Sequence, residues 1–199
     1  MKKLFLIGGM GAGKSTARKA LTDEGLAWID LDQVGHEVLM WDTVKDDLRG
    51  AFGDDIFDEN GEVVRSALAA KAFATPAATR KLNTITMPRI EERYTDLIDG
   101  FEAEGKPAVV VEYSVFRNRQ SSLAYGADVV MAVLAPLETR IERAVASGFP
   151  EEDVRARIAR QITDADRIEA SDVVFNNDGT PEELRNEVLA WWNEYKKEP

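Results

Sequence analysis

Residues 8–15 read Gly8-Gly9-Met10-Gly11-Ala12-Gly13-Lys14-Ser15, a GxxxxGKS pattern that follows the apolar run Leu4-Phe5-Leu6-Ile7 and opens a helical stretch. The glycines let the backbone curl until its N–H groups converge on phosphate oxygens, an approach that side chains would block. The helix N-terminus adds partial positive charge. Lys14 can reach the outer phosphates, and Ser15 can ligate the Mg²⁺ that bridges them. A strand, a glycine-rich loop and a helix in this order point to an α/β fold that binds ATP or a related nucleotide. Kinases, ATPases, GTPases and nucleotide-operated switches all use such a loop, so other residues must separate them.

Outward from the loop, five short runs rich in branched residues read as strands: Lys3–Gly8, Ala27–Leu31, Ala108–Glu112, Asp128–Leu134 and Val173–Phe175. Several lack polar alternation, which fits strands covered on both faces, the usual state of a parallel sheet. Helical patterns lie between them, at Lys14–Glu24, Gln33–Met40, Arg80–Glu104, Leu137–Ala146 and Glu151–Thr163. Thr180-Pro181-Glu182-Glu183 opens a last helix with an N-cap Thr and Pro at the first position. About 77 residues separate the second and third runs, far more than a βαβ crossover needs. Something helical is inserted there. A second excursion, Pro136–Ala170, carries Arg140, Arg143, Arg155, Arg157, Arg160 and Arg167.

Composition narrows the function classes. The chain has 199 residues, with 25 Lys+Arg against 36 Asp+Glu and a formal net charge of −11. That balance argues against nucleic-acid or anionic-membrane binding, which need a positive surface. No Cys is present and His36 is the only His, which removes thiolate chemistry and His-rich zinc sites. No apolar run is long enough to span a bilayer, so the expected location is the cytoplasm. No Asn-Lys-x-Asp pattern for guanine is present.

Carboxylates follow the second run: Ile29-Asp30-Leu31-Asp32 places Asp30 and Asp32 on one face if the strand continues. A kinase needs a carboxylate to accept the acceptor hydroxyl's proton and ligands that orient magnesium. Asp30 and Asp32 are the candidates for those roles, and Asp32 is equally well placed to cap the next helix. Glu112, at the end of Val109-Val110-Val111, can hold a magnesium-bound water.

Together these residues resemble the dephospho-CoA kinase family, which transfers the ATP γ-phosphate to the ribose 3′-hydroxyl of dephospho-CoA. The resemblance runs through Gly8–Thr16, Ile29–Asp32 with His36-Glu37, Phe52-Gly53-Asp54-Asp55-Ile56, Gly61 and Arg65. It continues through Phe73, Pro76, Arg80-Lys81-Leu82, Ile85–Ile90, Arg155–Gln161, Arg167, Asp172 and Asn177-Asp178-Gly179. It implies a single three-layer P-loop kinase domain with a five-stranded parallel sheet. The core would comprise residues 1–33, 105–135 and 171–199, with a helical acceptor-binding lobe at 34–104 and a helical lid at 136–170. The resemblance makes Asp32 the base for the 3′-hydroxyl. It gives Lys14 the phosphates, Ser15 the metal, and Arg140 and Arg143 the charge on the transferring phosphoryl group, while Asp30 and Glu112 stand as metal candidates on their position at the strand ends alone. ATP would be held by Gly9, Met10, Gly11, Ala12, Gly13, Lys14, Ser15, Thr16 and Asn177, the last near the adenine. The implied partners are ATP, Mg²⁺ and a small acceptor, with the protein a monomer or weak homo-oligomer.

Several positions depart from the family pattern. Met87-Pro88 stands where His-Pro is usual, Glu112–Asn118 differs after the third strand, Ala146-Ser147 replaces Arg-Asp, and Asp164 replaces an Arg. The altered acceptor half keeps open a kinase for another small hydroxyl acceptor, such as a nucleoside monophosphate. A non-catalytic ATP-binding regulator is a further alternative.

Overall fold

In a computed structural model that describes residues 1–197, five strands form one all-parallel sheet. They are β1 (Lys2–Gly8), β2 (Ala27–Asp30), β3 (Ala108–Glu112), β4 (Val129–Leu134) and β5 (Val173–Asn176), ordered β2-β3-β1-β4-β5. The apolar runs without alternation become strands buried on both faces. Leu4, Leu6, Val110, Met131 and Val133 pack with residues of α1 (Lys14–Asp23) and α9 (Pro181–Tyr195). Phe5, Ile7, Val109, Val111, Val130 and Ala132 point the other way and are equally buried. From β1 the chain crosses to β2 and β3 on one side, and β3 then crosses over to β4 on the other, so the carboxyl ends of β1 and β3 form a topological switch point, the ordinary ligand site of an open α/β sheet. The loop of residues 8–15 emerges there.

The described residues divide into two compact units: residues 1–30 with 99–197, which hold the sheet, and residues 31–98. The second unit is helical, with α2 (Leu31–Val38), α3 (Asp42–Phe52), α4 (Arg65–Ala72) and most of α5 (Pro76–Ala103). Its own core is built from Val38, Val44, Leu48, Ile56, Leu68 and Ala72. Between α3 and α4 the chain turns back through one antiparallel bridge, Phe57 to Val63. Pro88 lies inside α5, where it removes one backbone donor, and Thr84 and Thr86 turn their hydroxyls onto the carbonyls of Arg80 and Leu82.

Three readings of local structure need correction. The second strand stops at Asp30, and Leu31 begins a helix rather than ending the strand. Leu31, Val34 and Val38 form the buried stripe of α2, and that helical spacing claims Leu31. Asp30 and Asp32 therefore do not share a strand face, and Asp32 sits in the first turn of α2 rather than capping it. The helix expected over Glu151–Thr163 ends at Ala159 as α7 (Glu151–Ala159). Thr163 instead caps a new helix, α8 (Asp164–Ala170), through a reciprocal box with Asp166. No helix among the described residues is long and apolar enough to cross a membrane.

Candidate active site

Gly13 takes φ 107° at the start of α1, a conformation open to glycine at little cost. A Cβ there would also strike the Asn177 amide, and one on Gly9 would strike the Arg140 guanidinium. The loop glycines thus serve packing against neighbouring elements as well as backbone curl. Gly13 offers no side chain to the first N–H groups of α1, and the first turn holds no acidic residue. The positive end of this helix is left for an anion.

A cavity of about 510 Å³ opens at this loop, lined by Gly9, Met10, Gly11, Gly13, Lys14, Ser15 and Thr16. Glu112, Phe149, Asn177, Pro181 and the segment from Arg143 to Ser147 supply the rest of its wall. Lys14 is half-buried; its Nζ donates to the Gly8 carbonyl at 3.2 Å and stands 4.0 Å from Glu112. Arg18 approaches the other Glu112 oxygen at 3.6 Å and stacks on Trp28. Asp30 is in register with Glu112 on the adjacent strand, so two carboxylates end β2 and β3 side by side.

The structure also shows how the arginine-rich excursion is used. Arg140, on α6 (Leu137–Ala146), is only 4% exposed, and its Nε donates to the Met10 carbonyl at 3.1 Å. Its Nη1 lies 3.4 Å from both oxygens of Asp164, which also binds buried Arg167 at 2.5 Å. Burial holds the Arg140 guanidinium below the usual arginine value; Asp164 opposes that shift and Arg167 adds to it. Gln161 accepts from the Met10 N–H at 3.1 Å. Both polar groups of Met10, at the tip of the loop, are thus clamped by residues of the second excursion. Asp164, where the resemblance led to an expected Arg, is the carboxylate that two buried arginines share.

Arg143 donates through Nη2 to the carbonyls of Asn177 and Gly179 at 3.3 and 3.4 Å. Asn177, 5% exposed, donates to the Ala12 carbonyl at 2.8 Å. Arg143 Nη1 and Asn177 Oδ1 are buried yet make no hydrogen bond. Both belong to cavity-lining residues, so one donor and one acceptor there match a bound polar group.

Lys14, Ser15, Arg140, Arg143, Glu112, Asn177 and, by register, Asp30 are thus gathered around one loop. Asp32 belongs to the helical unit and is exposed there. Sequence reasoning did not assign Gln161, Asp164 and Arg167 as loop supports. The Thr163-x-x-Asp166 capping pattern was the signal available for their local placement, although their long-range partners were not encoded in any spacing.

The sequence profile of the dephospho-CoA kinase family matches residues 4–183. A dephospho-CoA kinase of Corynebacterium glutamicum is 39% identical over 190 residues, which cover 94% of each chain. Among solved structures, TT1252 from Thermus thermophilus superposes with a TM-score of 0.81 at 25% identity, over 97% of each chain. The dephospho-CoA kinase from Campylobacter jejuni, 20% identical, shares the fold with a TM-score of 0.66 over 99% of this chain and 98% of its own.

Proposed function

The chain belongs to the dephospho-CoA kinase family and is a phosphotransferase, and from that premise we propose how its residues move the ATP γ-phosphate onto the 3′-hydroxyl of dephospho-CoA. The observation that carries the reading is the loop at the end of β1, whose uncapped α1 terminus and half-buried Lys14 suit a nucleotide triphosphate. The loop N–H groups and Lys14 hold the phosphates. Asn177 Oδ1 supplies the unmatched acceptor and Arg143 Nη1 the unmatched donor to the nucleotide, Asn177 on the adenine side.

Asp32 accepts the proton of the attacking 3′-hydroxyl, which raises the nucleophilicity of that oxygen as it approaches phosphorus. Arg140 and Arg143, with Lys14, offset negative charge on the transferring group. Arg140 has a further part, because its bond to Met10 O keeps the loop tip in position. Ser15, Asp30 and Glu112 fit a magnesium ion. All offer oxygen, and such an ion needs only one or two carboxylates besides substrate phosphates; two carboxylates stand abreast here. When bound, the ion supplies charge neutralisation at the phosphate oxygens. With ATP as donor, the reading places the enzyme in the cytoplasm as a monomer or weak homo-oligomer, and its net charge of −11 disfavours nucleic acid.

A coupled ADP-release assay tests the reading. Dephospho-CoA should raise ADP release far above a no-acceptor control and above a nucleoside monophosphate panel. Faster turnover on a nucleoside monophosphate would identify the other small-acceptor kinase. Tight ATP binding without acceptor phosphorylation would identify a regulator.

A further inference from the structure

In the helical unit one arginine is held in an unusual way. Arg49, Arg89 and Arg93 each meet a carboxylate, at 2.8, 2.9 and 3.0 Å. Arg65 meets the imidazole of His36 instead, its Nη1 lying 3.1 Å from Nδ1 and 2.8 Å from Nε2. A nitrogen that close to both ring nitrogens lies over the face of the imidazole, which orients the guanidinium without cancelling its charge. No carboxylate among the described residues forms an ion pair with Arg65. Nor does helix stability explain the placement. Arg65 is the first residue of α4, whose first turn holds no acidic side chain, and a cation is disfavoured at that positive end. The guanidinium is exposed.

His36 stands four residues after Asp32 on α2, so the two share a face, about 6 Å apart along the helix axis. A ribose with its 3′-hydroxyl at Asp32 carries its 5′-phosphate on the far side of one sugar ring, a separation of that order. We infer that Arg65, set by His36, binds the 5′-diphosphate of the acceptor nucleotide and so favours acceptors that carry one. This rests on Asp32 as the base of the proposed reaction. Arg65 touches substrate in this account, whereas His36 is a positioning residue. In a protein of net charge −11, a diphosphate needs such a local cation, because the overall field repels it.

The test compares wild type, Arg65→Gln and His36→Asp on two acceptors, dephospho-CoA and adenosine, which has the 3′-hydroxyl but no phosphate. Both variants should lose about tenfold or more in kcat/KM for dephospho-CoA, chiefly through KM, and much less for adenosine. His36→Asp is the decisive variant. It keeps a partner for Arg65 but neutralises it. Because the new carboxylate stands one turn from Asp32, Arg65→Gln/His36→Asp serves as its control, and with Arg65 already gone His36→Asp should cause little further loss on dephospho-CoA. Equal losses on both acceptors, or unaltered kinetics in His36→Asp, would overturn the assignment. Calorimetric binding of dephospho-CoA to the ATP-free proteins repeats the comparison without turnover. Wild-type binding without phosphorylation would sink the kinase reading alone, and phosphorylation of dephospho-CoA with equal losses on both acceptors would sink the Arg65 assignment alone.

Discussion

At the scale of single residues, the chemistry divides between groups that meet substrate and groups that hold them. Asp32 belongs to the first class, and Asp32→Asn should keep ATP affinity within about twofold while turnover falls by about 10²–10⁴, since only proton acceptance is lost. Equilibrium ATP binding beside steady-state rates checks this, and near-normal turnover would remove Asp32 as base. Asp164 belongs to the second class. It is 40% exposed, but it is the carboxylate paired with Arg140 and Arg167, which are 4% and 3% exposed. Asp164→Asn should lower stability by about 1–3 kcal/mol, the cost of leaving buried guanidinium groups poorly matched. It should also raise KM for ATP, because Arg140 anchors Met10. Unfolding in urea and ATP titration of kinetics report the two effects separately. Lys14, Ser15 and the glycines were legible in the sequence because a phosphate loop is a local object. The shared role of Asp164 was not, since its partner Arg140 lies 24 positions away in the chain and nothing periodic links them.

At the scale of elements, caps decide where the excursions start and stop. Both Thr163 and Thr180 close capping boxes, with Asp166 and Glu183, and each should cost about 1 kcal/mol when changed to Ala. For a chain of this size that is a melting shift of about 2–4 °C. The two caps act on different walls of the cavity. Thr180→Ala loosens the entry of α9 between Gly179, which Arg143 holds, and Pro181. Thr163→Ala frees the start of α8, between Gln161 and Asp164, and should raise KM for ATP through the Met10 clamp. ATP kinetics of Thr163→Ala unchanged from wild type would show that the clamp does not depend on this cap. The Thr180 cap was readable from Thr-Pro-Glu-Glu, a strong signal with Pro at the first position. The same pattern at Thr163-Asp164-Ala165-Asp166 was lost inside a helix assigned through to Thr163. α3 and α4 went unassigned for a related reason: their buried faces, Val44 with Leu48 and Leu68 with Ala72, each offer a single apolar pair, too little to stand out until the core of the second unit brings them together.

At the scale of the whole molecule, the charge balance sets the response to pH and salt. Asp23, Asp55, Asp166 and Asp172 are held below the ordinary Asp value of 3.8, and Glu183 below the Glu value of 4.5. Lys19 with Arg185, Lys71, and Thr163 are the respective causes at the first three, and Thr180 at Glu183. At Asp172 burial pushes upward, but the Arg119 side chain and the Val130 N–H together outweigh it. Each depressed group binds fewer protons folded than unfolded. Its stabilisation is therefore complete above the unfolded value and lost as pH falls through the folded one. The repulsion within a chain of net charge −11 works in the opposite direction, easing as carboxylates begin to protonate. Melting temperature should therefore hold or rise slightly from pH 7 to about 5, then fall steeply below about 4. Added salt should stabilise the protein at pH 7 by screening the excess negative charge. Asp172→Asn should flatten the acid limb, because it removes the bidentate pair with Arg119, whereas a charge change at a solvent-exposed carboxylate without such a partner should leave that limb in place. A melting curve still level at pH 3 would mean that these carboxylates have no net hold on the fold, and a fall on adding salt at pH 7 would mean that local ion pairs outweigh the overall repulsion.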